Sequence, residues 1–219
     1  MIESIGIPLW LSLKVAGLAT ILSFLIGVVL AWIFAVFPNK LTRFLSLVIM
    51  LPLVLPPTVL GFYLLILLGE GSWIGKVIET IFGSTVLFTW QAAVIAASIA
   101  SLPLIVRPIQ TAFESIDPYV LEAAQLDGAN RWQIFFGIMI PLSYKGIVGG
   151  VILGFARAMG EFGATLMVAG NIPGKTQTLS IAIYDAVQAN RMMEANMMVV
   201  VLSLTTIGIL LVTTKFLKQ

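Results

Sequence analysis

The chain has no cysteine and no histidine among its 219 residues. Without thiols it can form neither disulfides nor a thiolate nucleophile, and it carries no sign of its redox compartment. Without imidazoles, haem axial ligation by histidine and most zinc or copper sites are excluded, and no metal site is expected. Charge is scarce as well, at 10% of residues, with 12 Lys and Arg against 10 Asp and Glu. The basic residues are scattered through loops instead of forming a stripe interleaved with aromatics, so nucleic acid is not an expected partner. Acids, bases and nucleophiles do not cluster at any one depth, so no catalytic residue is nominated and an integral-membrane enzyme acting on lipid is not supported. A phosphate-binding loop is missing too. The segment Gly170-Asn-Ile-Pro-Gly174-Lys175-Thr176 comes near it, but three residues separate the glycines where that motif needs four. The segment reads as a turn, and hydrolysis of ATP by that machinery is not expected of this chain.

What the chain has in abundance is apolar surface: 59% of residues are hydrophobic and the mean hydropathy is +1.07. A soluble core does not need this, so the solvent is lipid. Crossing the hydrocarbon takes roughly 20 apolar residues. Five runs reach that length, at about 9–36, 45–69, 86–106, 146–170 and 196–214. Backbone groups in lipid must pair within their own segment, so the runs are expected to be helices in an all-α polytopic bundle of about five spans. The stretch 171–195 has room for a short re-entrant or sixth element. The first run is too long for a removable signal peptide and lacks a small-residue cleavage pattern, so it is expected to remain as an anchor.

Lys and Arg in short loops are retained on the cytoplasmic side. Lys40, Arg43, Arg107, Arg131, Lys145, Lys215 and Lys218 fall on one side of the five-span arrangement, and Lys14, Lys76, Lys175 and Arg191 on the other. Seven against four places the N-terminus outside, with the long central loop and the C-terminus inside. In the second run, Pro52, Pro56 and Pro57 each remove a backbone donor and crowd the preceding turn, so the helix should kink or break. That break is either tolerated packing or a bend that shapes a central cavity. Residues 70–85 carry Trp73, Ile74, Val77, Ile78 and Ile81 at helical spacing, as expected of a helix lying at the interface.

Between the third and fourth runs lies a polar island. Asp117-Pro118 is a helix start, since the carboxylate can accept from open amides and proline suits the first helical position. A short helix over 118–127 follows, with Ala123 and Ala124 giving it a shallow side. Gly128 supplies the positive φ that ends it. Asn130 and Gln133 have capping-box spacing for a second helix. There Trp132, Phe135, Phe136, Met139 and Ile140 form an apolar stripe expected to pack beneath the membrane helices, until Pro141 stops it. By itself this is a rigid helical hairpin on the inner face.

The series Glu122-Ala123-Ala124, Gly128, Ile138, Ile140-Pro141, with its gap lengths, resembles the EAA loop of type I ABC importer permeases, which usually have leucine in place of Ile140. The resemblance implies a single transmembrane domain over 1–219 with a cytoplasmic coupling loop at about 107–145. The short helix would dock in a groove of a separate ATPase subunit, with Glu122 pairing to the partner and Ala123 and Gly128 permitting close approach. ATP and Mg would then be used by that subunit, with no cofactor bound by this chain. Leu51-Pro-Leu-Val-Leu-Pro-Pro57 with Gly61-Phe62-Tyr63, Arg157 to Thr165, and Thr178 to Tyr184 narrow the resemblance to molybdate permeases. Sulfate and thiosulfate permeases share much of the second stretch. Such a family implies a homodimer in a prokaryotic cytoplasmic membrane, two ATPase subunits, and an extracytoplasmic binding protein delivering molybdate or tungstate.

Arg157 and Glu161 interrupt the fourth run, where a mid-bilayer charge costs about 2.5–3.5 kcal/mol on the insertion scale. Four residues apart, they share a helical face and can neutralise each other. They are either a packing pair or part of a translocation path at the dimer axis. Gly160, Gly163 and Ala164 offer a small-residue contact face. An oxyanion path needs weak donors that release the ion. Candidates are the amides at the Pro56-Pro57 break, the hydroxyls of Thr58 and Thr165, and helix N-termini. An ion-coupled secondary transporter is the rival of a different class, with Glu161 as its one deep carboxylate.

Overall fold

The computed structural model describes residues 2–215, which are helical with irregular connections and contain no strand. Twelve α-helical segments follow in order: α1 Ile2–Val36, α2 Lys40–Val54, α3 Pro57–Leu68, α4 Trp73–Phe82, α5 Trp90–Glu114, α6 Pro118–Leu126, α7 Arg131–Ile134, α8 Ile140–Leu142, α9 Tyr144–Met159, α10 Gly163–Ala169, α11 Leu179–Gln188 and α12 Met192–Lys215. A π-helical turn, Phe135–Met139, joins α7 to α8. Lys218 lies outside the described residues.

Three helices, α1, α5 and α12, are long and apolar enough to cross a membrane alone, and two bent pairs raise the number to five. Trp10 and Trp32 lie 22 residues apart on α1. That is about 33 Å of helix, one hydrocarbon thickness, with tryptophan at each interface. At the Trp10 end the Lys14 ammonium sits 3.5 Å above the Trp90 ring. At the other end Trp32 meets the central hairpin.

The core is built on α5, packed between α1 and α9. One cluster joins Ala16 and Ala19 to Ala93, Ala96, Ala97, Ala164 and Val168, and a second joins Val28 and Phe34 to Ile105, Ile109, Phe113, Phe135 and Met139. Alanine dominates the first because helices in lipid attach by close contact, not by escape from water. Gly146, Gly150 and Gly154 line the α9 face toward α5; a Cβ on Gly146 would fall 2.4 Å from that of Ala112, and one on Gly150 would fall 3.0 Å from the Ile105 carbonyl oxygen.

Two expected spans take another form. The second is two helices, α2 and α3, bent by 117° at Leu55-Pro56, with Pro52 carried inside α2. The fourth does not run unbroken over 146–170. It stops at Met159, resumes at Gly163 as seven-residue α10, and at its other end α9 meets the preceding hairpin helix at 73°. Residues 171–195 contain α11, whose ten residues are too short to cross. α4 falls within 70–85 as expected, with Trp73 and Ile81 strongly exposed.

Candidate translocation gate and coupling hairpin

Both helix breaks meet at one place. Leu55 and Pro56 each precede a proline, which pushes them out of the helical region, and both are extended at ψ 140° and 136°. Pro57 then opens α3. Opposite, Gly160 ends α9, and Phe162, at φ −134°, leads into α10. A Cβ on Gly163 would lie 2.8 Å from that of Pro57, and one on Gly61 would lie 2.7 Å from the Met167 Cβ and 2.9 Å from the Ala164 Cα. Only glycine lets α3 and α10 approach this closely.

Glu161 holds the second break. Its Oε1 accepts from the Ala164 amide at 2.8 Å, which closes one of the open donors at the start of α10. Its Oε2 lies 2.6 Å from Arg157 Nη1, an ion pair not aligned as a hydrogen bond. The glutamate is buried, whereas a quarter of the Arg157 side chain is exposed. The Phe162 ring packs on Tyr184 at 5.1 Å, and the Ser180 hydroxyl donates to the Met159 carbonyl at 3.5 Å. α11 thereby abuts the break.

Of the proposed donors, Thr58 is exposed beside exposed Pro56 and Pro57. Thr165 is buried, and its hydroxyl has no hydrogen-bond partner among the described residues. Gly160, Glu161, Gly163 and Pro57 therefore come together, Thr58 lies on their open side, and Thr165 lies behind them.

The hairpin forms by the expected chemistry. Asp117 accepts from the Tyr119 amide at 3.0 Å and Pro118 opens α6. Gly128 turns the chain at φ +81°. Asn130 and Gln133 exchange both capping-box bonds, at 2.9 and 2.7 Å. Glu122 and Ala123 are exposed, Ala124 is half-buried against the bundle, and Ile138 is half-buried. Pro141 is exposed but does not stop the helix: it lies inside α8, and the bend comes at Ser143. The π turn explains this. The Ile140 amide donates to the Phe135 carbonyl, a widened turn that relieves the crowding a proline imposes on the carbonyl four residues back. The extra residue also rotates the stripe, so Ile134, Phe135 and Met139 are buried while Trp132 and Phe136 are exposed.

Residues 23–218 match the family described as binding-protein-dependent transport system inner membrane component. The chain belongs to that family. A putative molybdenum transport system permease protein, YvgM, of Bacillus subtilis strain 168 is 50% identical over 184 residues, 83% of this chain and 80% of the relative. The molybdenum transport system permease protein ModB of Escherichia coli K12 is 45% identical over 180 residues, 81% and 78% of the two chains. Among solved structures, the inward-facing MetNI methionine ABC transporter matches with a TM-score of 0.73 at 19% identity, covering 98% of this chain and 94% of that one. A bacterial ABC transporter that imports the polysaccharide alginate matches at 0.79 and 18%, covering 99% and 79%. The fold is that of a type I ABC importer permease.

Sequence reasoning missed how this permease attaches its hairpin. Trp32 packs on Trp132 and Phe135 with ring centroids 5.5 and 5.2 Å away, and Phe135 reaches Phe113 at 6.1 Å. The Arg131 guanidinium lies 5.3 Å from the Phe37 ring. Aromatic residues at the ends of the first run and the start of the second hairpin helix were the available signal. Their pairing across about 100 residues of chain was not readable.

Proposed function

We propose that this permease carries molybdate, and with it tungstate, into the cytoplasm as the membrane subunit of an ATP-driven importer. The observation that carries the reading is identity of 42–50%, over roughly four fifths of the chain, to proteins of several bacteria named for molybdenum transport. In this reading residues 1–219 form one transmembrane domain, present twice in a homodimer. Two cytoplasmic ATPase subunits use ATP and Mg, and an extracytoplasmic binding protein delivers the ion. The N-terminus lies outside, and the coupling loop at about 107–145 and the C-terminus lie inside. Glu122, Ala123, Ala124 and Gly128, with Ile138 and Pro141 in the second arm, form the foot that receives ATPase motion. The aromatic contacts on Trp32 make foot and α1 one lever. Pro56, Pro57, Thr58, Arg157, Gly160, Glu161, Gly163 and Thr165 shape the gate.

Sulfate and thiosulfate are disfavoured because the relatives of 42–50% identity are named for molybdenum. A secondary transporter is disfavoured because Glu161, its candidate ion site, is held by Arg157 and the Ala164 amide.

Proteoliposomes holding the permease, its ATPase and its binding protein test the reading with radiolabelled molybdate. Uptake is expected to require ATP, to fall with excess tungstate and to withstand excess sulfate. Equal inhibition by sulfate would move the substrate to the rival class. Uptake without the ATPase would remove the importer mechanism. In the same vesicles Trp132→Ala is expected to leave ATP hydrolysis running while uptake falls several-fold, because a loosened foot slips; aromatic contacts of this kind contribute about 0.5–1.5 kcal/mol each.

A further inference from the structure

A cleft of about 420 Å³ opens where the end of α1, the start of α2 and the end of α5 converge, on the membrane face shared with the hairpin. It is lined by Arg43, Thr42 and Ser46 of α2 and by Arg107, Gln110 and Glu114 of α5, above the apolar Phe34 and Leu47. Neither arginine has an ion-pair partner among the described residues. Arg107 is also held in place. Its Nη1 donates to Gln110 Oε1 at 3.4 Å, and the Gln110 amide, 93% buried by its residue exposure of 7%, donates to Glu114 Oε1 at 2.7 Å. The glutamate is therefore engaged by the amide, and two guanidiniums against one carboxylate leave the cleft with an excess positive charge. Each guanidinium offers five N–H donors in a fork suited to phosphate oxygens.

The surroundings say where the phosphate comes from. Leu41, Phe44, Leu47 and Leu51 expose apolar side chains along α2 next to the cleft. A soluble oxyanion has no use for such a surface, whereas an acyl chain does. Trp32, on the same end of α1, marks the interface depth at which phospholipid headgroups sit. Basic pockets between membrane helices at this level suit anionic headgroups.

We propose that the Arg43–Arg107 cleft is a binding site for the phosphate of an anionic phospholipid of the adjacent leaflet, with its acyl chains lying along α2. On the orientation proposed above this is the inner leaflet, and the site itself does not depend on which ion is transported. A lipid clamped there would tie α2, on the near side of the Pro56 break, to α5 at the base of the bundle.

The test is native mass spectrometry of the intact transporter from nanodiscs containing equal parts of phosphatidylglycerol and phosphatidylcholine. The wild type is expected to retain phosphatidylglycerol selectively. Arg43→Gln and Arg107→Gln should each cut retention about fivefold, and the pair about twenty-five-fold, as expected of one basic contact each. Lys76→Gln, on the opposite membrane face, should change nothing. If the double variant does not assemble, Ser46→Glu repels the headgroup with both arginines intact and should also release it. Undiminished selective retention in the double variant or in Ser46→Glu overturns the proposal. So does release of the lipid by millimolar inorganic phosphate or molybdate, which would make the cleft a soluble-oxyanion site. ATP-driven uptake measured in parallel separates the two readings: loss of lipid selectivity with intact uptake affects this site alone, and absent wild-type uptake affects the transport reading alone.

Discussion

The chain breaks its helices twice near the same point, by different means. At Leu55-Pro56-Pro57 the break is covalent: two successive residues precede proline and cannot be helical without a clash. Among the described residues no side-chain hydrogen bond or ion pair holds this junction, which keeps only the backbone bonds of the flanking helices, and Val54 beside it is 79% exposed. At Gly160-Glu161-Phe162 no proline is present. The break there is held by one buried carboxylate that reaches backward to Arg157 and forward to the Ala164 amide. The first junction keeps its bend whatever surrounds it, while the second lasts only as long as its contacts. Where the two touch, through Pro57 and Gly163, a fixed wedge faces a junction able to rearrange. That is a physical basis for a gate in which α9 and α10 move against a stationary α2–α3 elbow.

The sharpest way to break the contrast is Glu161→Ala. It leaves Arg157 without its partner and the Ala164 amide open, and removing one member of a buried pair costs about 3–5 kcal/mol. The quarter exposure of Arg157 places this case toward the lower end or below. Uptake is expected to be abolished, with membrane insertion kept. Glu161→Gln keeps the bond to Ala164 and should retain a measurable fraction. Near-normal uptake in Glu161→Ala would remove the ion pair from the mechanism.

Gly61→Val comes next. Its Cβ would meet backbone, the Ala164 Cα at 2.9 Å, so no side-chain rotation relieves it. Overpacking of this kind costs about 1–3 kcal/mol. A lower melting temperature and an uptake loss of about tenfold are expected, whereas Gly137→Ala, with nothing within 4 Å of its new Cβ, should be silent. Equal effects from the two would mean that the α3–α10 contact is not tight in the working protein.

The foot was legible because each step is local: Asp117-Pro118, Gly128 and the Asn130/Gln133 box act within four residues, and all three formed as their side-chain chemistry requires. Pro141 misled because the π turn before it absorbs the clash, and π turns have no local signature. The fourth run misled because hydropathy averaged over a whole span is blind to a break: four residues from Gly160 to Gly163 are outweighed by the apolar residues on either side, and only the folded chain shows that Glu161 accepts from the α10 amide in place of a continuous helix. The α5–α9 seam of Gly146, Gly150 and Gly154 was not read from the sequence, which pointed instead to Gly160, Gly163 and Ala164 as the small-residue face.

Straightening the first junction tests whether its bend is covalent. With both prolines replaced, Pro56→Ala and Pro57→Ala, residues 40–68 can run as one helix. Because the chain has no cysteine, Ser46→Cys and Ile66→Cys accept spin labels without background. Twenty residues of continuous helix span about 30 Å, and the 117° elbow makes the native distance much shorter. The variant distance is expected to lengthen toward 30 Å, with uptake falling several-fold. An unchanged distance would show that packing on α10, not proline geometry, sets the elbow.

The smallest effect is expected where prolines do not break a helix. Pro103 and Pro108 lie inside α5, which continues through both to Glu114. Each is a single proline, so only one preceding residue is strained, and α1 and α9 pack along both sides of the helix. Pro103 is fully buried, and replacing it would open a cavity, so Pro108→Ala is the cleaner substitution. It restores an amide donor to the Leu104 carbonyl and removes a residue that costs about 3 kcal/mol against alanine in an exposed helix interior. Helix packing already offsets much of that cost here, so the gain should be a small rise in melting temperature, with uptake within about twofold of wild type on the scale that one kcal/mol or less allows. A loss as large as that of the Pro56/Pro57 double variant would mean that α5 also bends during transport, so that a proline inside a continuous helix matters as much as the pair at the elbow.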